Sequence, residues 1–128
     1  MRCALALILA VALAGCIAGP IDTQVDGTYA YVGKRADGSI ETKGTLTLRS
    51  GADTVVTGTW SLENVQGDGV LEGRRDDMKV SVDLHPGWRD HNLILMGEFK
   101  NGVITGRWQW IGFPGVMSEG TFEAKKLR

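Results

Sequence analysis

The sequence contains little cysteine and little proline, and it carries almost no net charge. Its two cysteines, Cys3 and Cys16, both lie near the N-terminus, and there are three prolines in 128 residues. No internal disulfide can therefore stabilise the rest of the chain, so stability has to come from a hydrophobic core. The formal net charge is −1, and the basic residues are scattered, which argues against a nucleic-acid partner.

An apolar run from Ala4 to Ala14 follows Arg2 at the N-terminus. It is shorter than the roughly 20 apolar residues that a membrane-spanning helix needs, but it has the charged start and apolar centre of a signal peptide. The run ends in Leu13-Ala14-Gly15-Cys16, which resembles the lipobox of bacterial lipoproteins. The resemblance implies cleavage before Cys16, after a diacylglycerol has been attached to its sulfur.

This resemblance also implies where the protein works. It divides the chain into a signal peptide at residues 1–15, a lipidated tether at residues 16–26 and a folded domain at residues 27–128. The membrane is then a partner, reached through the acyl anchor on Cys16, and the protein belongs to the cell envelope. Two other interpretations stay open, namely an ordinary secretory signal and the N-terminal helix of a cytosolic domain.

The residues after the cysteine bear on which membrane is reached. Ile17 and Ala18 follow Cys16, and neither is an aspartate. In organisms that use an aspartate retention signal, this implies delivery to the outer membrane, with the protein facing the periplasm or the cell surface.

From Gly27 onwards, apolar and polar residues alternate with the period of two that is typical of half-buried strands. In residues 40–49 the alternation predicts Ile40, Leu46 and Leu48 on the inner face. The same pattern along the chain predicts eight strands and no helix. We therefore expect an all-β domain.

A glycine two residues before an aromatic residue recurs five times, so the two side chains share a strand face. The repeats are Gly27-Thr28-Tyr29, Gly58-Thr59-Trp60, Gly97-Glu98-Phe99, Gly106-Arg107-Trp108 and Gly120-Thr121-Phe122. A glycine weakens a strand unless it permits a sharp bend or the close approach of another backbone. The repeats therefore favour an eight-stranded antiparallel up-and-down (meander) β-barrel over a flat sandwich.

Two of these segments, Thr57-Gly58-Thr59-Trp60 and Thr105-Gly106-Arg107-Trp108, resemble strand segments of the avidin family. Gly27-Thr28-Tyr29 resembles the opening of that family. Avidins fold as eight-stranded meander barrels with biotin inside, and lipocalins share the architecture, so the resemblance implies a barrel of this kind. It assigns no biotin-contacting residue to this chain, and no motif of lipocalins or of lysozyme-inhibitor lipoproteins is present.

The turns predict a difference between the two ends of the barrel. Compact turns are predicted at residues 50–53, 75–77 and 101–102, and longer connections at residues 34–38, 64–68, 85–92 and 112–116. In a meander the compact turns lie at the same end as both termini. The longer connections then form a mouth at the opposite end, away from the lipid anchor.

The barrel interior is the first candidate site, because eight strands enclose space for packed side chains or for one small ligand. The inward-facing aromatic residues are Tyr29, Tyr31, Trp60, Trp108 and Trp110, among others. They predict either an apolar pocket, with tyrosine hydroxyls and indole N–H groups as orienting donors, or a packed core. Both interpretations stay open at this point.

A loop at the predicted mouth is the second candidate site. It brings together His85, Trp88, Arg89 and His91, and a tryptophan beside an arginine is typical of protein-recognition surfaces. Trp88 could instead cap the barrel, and His85, Asp90 and His91 could hold a metal, although their spacing fixes no ligand geometry.

The third candidate is the apolar segment from Ile111 to Met117, which contains Phe113. It is expected to form either an exposed patch with Trp88, suited to a partner or a membrane, or, slightly favoured, a lid over the barrel. No catalytic motif, metal site or cofactor-binding motif is predicted, and only a spatial pair such as Asp83 with Asp90 would supply acid–base chemistry. The chain is thus predicted to be a non-catalytic lipoprotein that binds a protein partner or a small apolar ligand at the mouth. The alternatives are a structural envelope component and an eight-stranded outer-membrane barrel.

Overall fold

The computed structural model describes residues 20–128 as a closed barrel of eight antiparallel strands. The predicted signal peptide at residues 1–15 and the predicted lipidation site at Cys16 lie outside the described residues. The strands are β1 (Gly27–Arg35), β2 (Ile40–Ser50), β3 (Val55–Leu62), β4 (Val70–Asp76), β5 (Lys79–Asp83), β6 (Asn92–Lys100), β7 (Val103–Gly112) and β8 (Gly115–Lys126). Each strand pairs with the next, and β8 pairs with β1. The predicted all-β meander barrel is confirmed.

Glycines lie where paired strands come very close together. A Cβ atom added to Gly58 would lie 1.8 Å from the backbone oxygen of Thr47, and one added to Gly106 would lie 1.9 Å from that of Met96. A larger residue would push the strands apart at these points. Close backbone approach, which the sequence predicts for the strand glycines, is therefore observed.

Aromatic rings fill the space that the glycines leave on the inner face. The Phe122 ring lies 2.9 Å from the position that a Cβ of Gly97 would take, and Trp108 lies 2.7 Å from that of Gly120. Trp108 and Gly120 face each other across the β7–β8 pair. Each ring thus comes from a strand other than the one that carries its glycine, which allows the sheet to curl tightly.

The core occupies the barrel interior. Tyr29, Tyr31 and Trp108 are among its largest fully buried side chains, and Tyr31 stacks on Phe122 with ring centroids 5.4 Å apart. Trp60 is also buried, whereas Trp110 is only partly buried against the core.

A β-bulge reverses the predicted orientation of the first residues of β2. Gly33 pairs with Thr42, but the next residue of β1, Lys34, pairs with Ile40, so Glu41 is the extra residue. As a result Ile40 is 53% exposed and a carboxylate oxygen of Glu41 is buried. The prediction that Ile40 faces the interior is wrong, because an alternating pattern assumes an uninterrupted strand.

Only two of the four connections at the mouth have the length that the sequence predicts. Residues 63–69 and 84–91 form long loops, as predicted. The connection from β7 to β8 consists of residues 113–114 alone, because the two strands stay paired up to the turn. The longer connection predicted at residues 112–116 is therefore wrong, and the connection at residues 36–39 is also short.

The opposite end of the barrel is closed by the segment that precedes β1. Val25 is 1% exposed, and the Tyr29 hydroxyl donates a hydrogen bond to its carbonyl oxygen. Asp22 forms an ion pair of 2.9 Å with Lys126, and its backbone N–H donates to Asn101 Oδ1 at 2.9 Å. From Asp22 onwards, the segment predicted as a tether is thus held against the barrel.

Candidate binding surface at the barrel mouth

Most polar atoms of the interior aromatic residues bond to the protein's own backbone. The indole Nε1–H of Trp60 donates to the carbonyl oxygens of Val70 at 3.0 Å and Leu84 at 2.9 Å. That of Trp108 donates to the carbonyl oxygen of Lys34 at 2.9 Å. These are the donors that the sequence predicts would orient a ligand, so the geometry favours the packed-core interpretation over the internal pocket.

Tyr31 differs from the other interior aromatic residues. Its hydroxyl is buried and has no hydrogen-bond partner within the described part of the chain. Burial and, to a lesser extent, the negative charge of Glu41 raise the pKa of Tyr31 well above its ordinary value. The phenol is therefore neutral at all physiological pH values.

The side chain of His85 closes the mouth of the barrel. It is buried, and Nε2 lies 2.6 Å from the carbonyl oxygen of Gln66 in the facing loop. Three indoles surround the imidazole: Trp88 stacks on it at 4.0 Å between centroids, Trp60 meets it edge-on at 5.6 Å, and Trp110 lies at 5.7 Å. The predicted capping role thus belongs chiefly to His85, and Trp88 covers His85 from outside.

Local backbone chemistry positions this loop. His85-Pro86-Gly87-Trp88 forms a turn in which the Trp88 N–H donates to the His85 carbonyl at 3.0 Å. Gly87 has a φ of +88°, which suits glycine at the third position of a type II turn, after proline at the second. Asn92 Nδ2 donates to the same carbonyl at 2.9 Å and to Asp83 Oδ2 at 3.0 Å. These hydrogen bonds therefore fix the conformation of the turn.

The remaining predicted residues of this loop point outwards. Arg89 and His91 are exposed, so the structure does not bring them together with the buried His85. Among residues 20–128, no cluster of three or more His, Cys, Asp or Glu side chains is arranged to hold a metal ion. Asp83, the candidate for acid–base chemistry with Asp90, accepts hydrogen bonds from the His85 N–H and from Asn92, which is a structural role.

Phe113 lies at the tip of the β7–β8 hairpin and is 91% exposed. The favoured expectation that its segment folds inward as a lid is wrong, because a two-residue turn between paired strands leaves no chain that can fold back over the mouth. The exposed patch, which was the other expectation, is the one observed.

Exposed apolar side chains are concentrated at the mouth. We define the mouth rim as the exposed large apolar residues on the strand ends and loops at this end: Ile40, Val70, Trp88, Phe113, Val116 and Met117. Trp88 is 44% exposed, and its other face is covered by His85. The rim therefore combines a projecting phenyl group with a flat indole held in place from below.

The sequence does not identify two of the rim residues, Ile40 and Val70. Alternation predicts that Ile40 faces the interior, because the bulge at Glu41 leaves no trace in the pattern. Val70 belongs to no predicted site, since its exposure depends on where β4 begins relative to the barrel edge. Phe113, Val116 and Met117 all lie in the apolar segment that the sequence predicts as a candidate site.

Comparison with protein-family models, with curated proteins and with solved structures finds no match. The resemblances of short segments to lipoproteins and to avidins therefore stay predictions. Within residues 20–128 there is no helix with the length and apolar character needed to cross a bilayer.

Proposed function

We propose that this chain is a lipid-anchored lipoprotein of the bacterial cell envelope that binds a protein partner, without catalysis, through the mouth rim. The observation that carries the binding role is the exposure of Phe113 at 91%, on the same rim as the partly exposed Trp88. Apolar groups that project from a rigid domain are costly in water unless a partner covers them. Tryptophan is also among the residues that dominate the binding energy of protein interfaces.

The packed interior supports a protein partner over a small apolar ligand inside the barrel. Trp60 and Trp108 fill the interior, and their N–H groups donate to backbone oxygens. A ligand would have to displace these rings and break those bonds. A partner at the rim requires neither change, so rim binding needs the smaller rearrangement.

The position of the N-terminus supports an outward-facing rim. The described chain begins beside the β6–β7 turn, where Asp22 bonds to Asn101, and the rim lies at the other end of the barrel. An acyl group on Cys16 would therefore enter the membrane on the side away from the rim. In organisms with an aspartate retention signal, that membrane is proposed to be the outer one, with the rim in the periplasm or at the cell surface.

The two alternatives have less support. The outward positions in the middle of β2 are Lys43, Thr45 and Thr47, whereas a barrel embedded in lipid carries apolar residues there. A purely structural component with no partner would gain nothing from an exposed Phe113. The rim therefore favours the binding role.

A crosslinking experiment tests the rim. A photoreactive amino acid at position 113 in the native host should give a discrete crosslinked species, and Trp88→Ala in the same chain should reduce its yield at least tenfold. The matched control is Val55→Ala, because Val55 is an exposed apolar residue at the opposite end of the barrel, and it should leave the yield unchanged. An equal loss of yield in Trp88→Ala and Val55→Ala, or no loss in Trp88→Ala, would contradict binding at the rim.

A separate experiment tests the anchor. Mass spectrometry of the protein from its native envelope should show an N-terminal cysteine that carries diacylglycerol, and Cys16→Ala should move the protein to the soluble fraction. An unmodified mature N-terminus, or membrane retention of Cys16→Ala, would contradict the anchor and leave the rim proposal standing.

A further inference from the structure

The outer wall of the barrel carries a groove of about 630 Å³ across β4 to β7. One side of it is a row of outward side chains that pair across successive strands, namely Arg74, Ser81, Met96 and Arg107. The volume lies within the roughly 300–1,000 Å³ of ligand pockets. The groove therefore has the dimensions of a small-molecule site, and it is separate from the mouth rim.

A row of inward-facing residues forms the floor of the groove. Val80, Gly97 and Gly106 form the neighbouring row, pair with one another across β5, β6 and β7, and line the groove. Their side chains, where they have one, point inward, so they add no bulk to the outer wall. Met96 is 40% exposed beside them, and Ser81 is small. The centre of the groove is thus apolar and carries little side-chain bulk.

The charges at the groove are unevenly placed. Arg107 forms an ion pair with Glu119, whereas Arg74 Nη1 donates to a neutral group, Thr54 Oγ1, at 3.3 Å. Among residues 20–128, the ion pairs within 4.0 Å do not include Arg74 or Lys79. Two cations at the β4–β5 end of the groove are therefore available to an anion.

The outward row on the other side of the groove determines which end of the groove suits an anion. It runs Asp76, Lys79, Glu98, Thr105 across the same strands. Lys79 thus has a carboxylate on each side, Asp76 on β4 and Glu98 on β6, and Glu98 would repel a negative head group placed at the middle of the groove. Arg74 pairs with the neutral Ser81. An anionic group is therefore best placed against Arg74, on the side that faces Lys79, with an apolar tail running past Met96.

From this arrangement we propose that the groove binds the monomer of an anionic amphiphile with one alkyl chain, such as a medium-chain carboxylate. The carboxylate lies between Arg74 and Lys79, and the chain lies along Ser81, Met96, Gly97 and Gly106. Charge complementarity at one end and an apolar floor along the rest select this class over neutral lipids and over short anions. The proposal goes beyond the rim function and does not depend on it or on the anchor.

Methionine methyl groups give the test an internal control. The full chain, labelled with ¹³C at the methionine methyls, is titrated with octanoate, decanoate and dodecanoate in the presence of nanodiscs of zwitterionic phospholipid. The Met96 resonance should shift and saturate, while Met117 on the mouth rim should stay fixed. Affinity should rise by about two- to fourfold for each added methylene, as partial to full burial predicts. Octanol should shift Met96 at least tenfold more weakly than octanoate.

Variants separate the groove from the membrane surface. Ser81→Trp should fill the groove and abolish the saturable Met96 shift, and Arg74→Ser with Lys79→Ser should weaken octanoate binding about tenfold. Lys100→Ser removes an exposed cation outside the groove, at the same end of the barrel as Lys79, and should leave octanoate binding unchanged. A shift at Met117 in place of Met96, an equal effect of octanol, or a Met96 shift that survives Ser81→Trp would overturn the proposal. So would a response that appears only with anionic lipid in the nanodisc, since that indicates binding to a membrane surface.

Discussion

The imidazole of His85 and the indole of Trp88 lie almost parallel, with planes inclined by 15° and centroids 4.0 Å apart. His85 is buried and Trp88 is 44% exposed, so the pair connects the barrel interior to the mouth rim. The stack holds the exposed indole rigid, which lowers the entropy that a partner would have to remove on binding. The stability of the mouth and the binding role proposed for it therefore depend on the same residue, His85.

His85→Ala should destabilise the barrel by about 3 kcal/mol, since it removes a buried ring and leaves the Gln66 carbonyl without its partner. Denaturant unfolding measures the loss, and the midpoint should fall without a change in slope. Arg89→Ala, in the same loop but exposed, should change stability by less than about 0.5 kcal/mol. Equal effects of the two substitutions would show that His85 does not close the mouth.

The barrel could be predicted from the sequence alone because the patterns that indicate it are local and recur along the chain. Alternating apolar residues fix the strand faces, and the glycine–aromatic spacing is the same at Trp60, Phe99 and Trp108. Each of these features follows from a short-range steric rule that acts within one strand or between adjacent strands. Strand number, order and closure could therefore be predicted without coordinates.

The candidate site was predicted less well because it depends on strand ends. The bulge at Glu41 turns Ile40 outwards, and the extension of β7 and β8 raises Phe113 clear of the barrel. The burial of His85 depends on the backbone of Gln66, which is remote in sequence. None of these contacts has a periodic signature, so the sequence could place the loop at the mouth but could not say which of its side chains points inward.

Gly106→Ala should destabilise the barrel by about 3 kcal/mol or more, because the new methyl would lie 1.9 Å from the Met96 oxygen and 2.5 Å from Gly97 Cα. Both of these atoms are backbone, so relief requires strand separation. Gly51→Ala is the control, since its nearest neighbour would be 3.7 Å away, and it should be neutral or stabilise by up to about 1 kcal/mol. Thermal unfolding of the pair measures the difference, and tolerance of Gly106→Ala would contradict the role assigned to close strand approach.

Val25→Ala should lower the free energy of unfolding by about 1.5 kcal/mol, as loss of two buried methylene equivalents predicts. Val25 is 1% exposed at the closed end, whereas Ile21, four residues earlier, is 74% exposed. Ile21→Ala should therefore have no measurable effect. If both substitutions are neutral, the segment before β1 contributes nothing to the fold and the tether extends to β1.

Alkaline titration should couple tyrosine ionisation to unfolding. The chain has two tyrosines, and burial raises the pKa of both Tyr29 and Tyr31 above the ordinary value of 10.0. A raised folded-state pKa contributes stability that is complete below pH 10 and is lost as the pH rises above it, because the unfolded chain releases the two protons first. Absorbance at about 295 nm, where phenolate absorbs, should therefore stay flat past pH 10 and then rise together with the loss of β-sheet circular dichroism.

The variant Tyr31→Phe separates the two tyrosines. In this variant the amplitude of the absorbance change should halve, and the free energy of unfolding should fall less steeply with pH. Phenolate absorbance that appears near pH 10 while the circular dichroism is unchanged would mean that the tyrosines are open to solvent, and the packed interior would then be wrong.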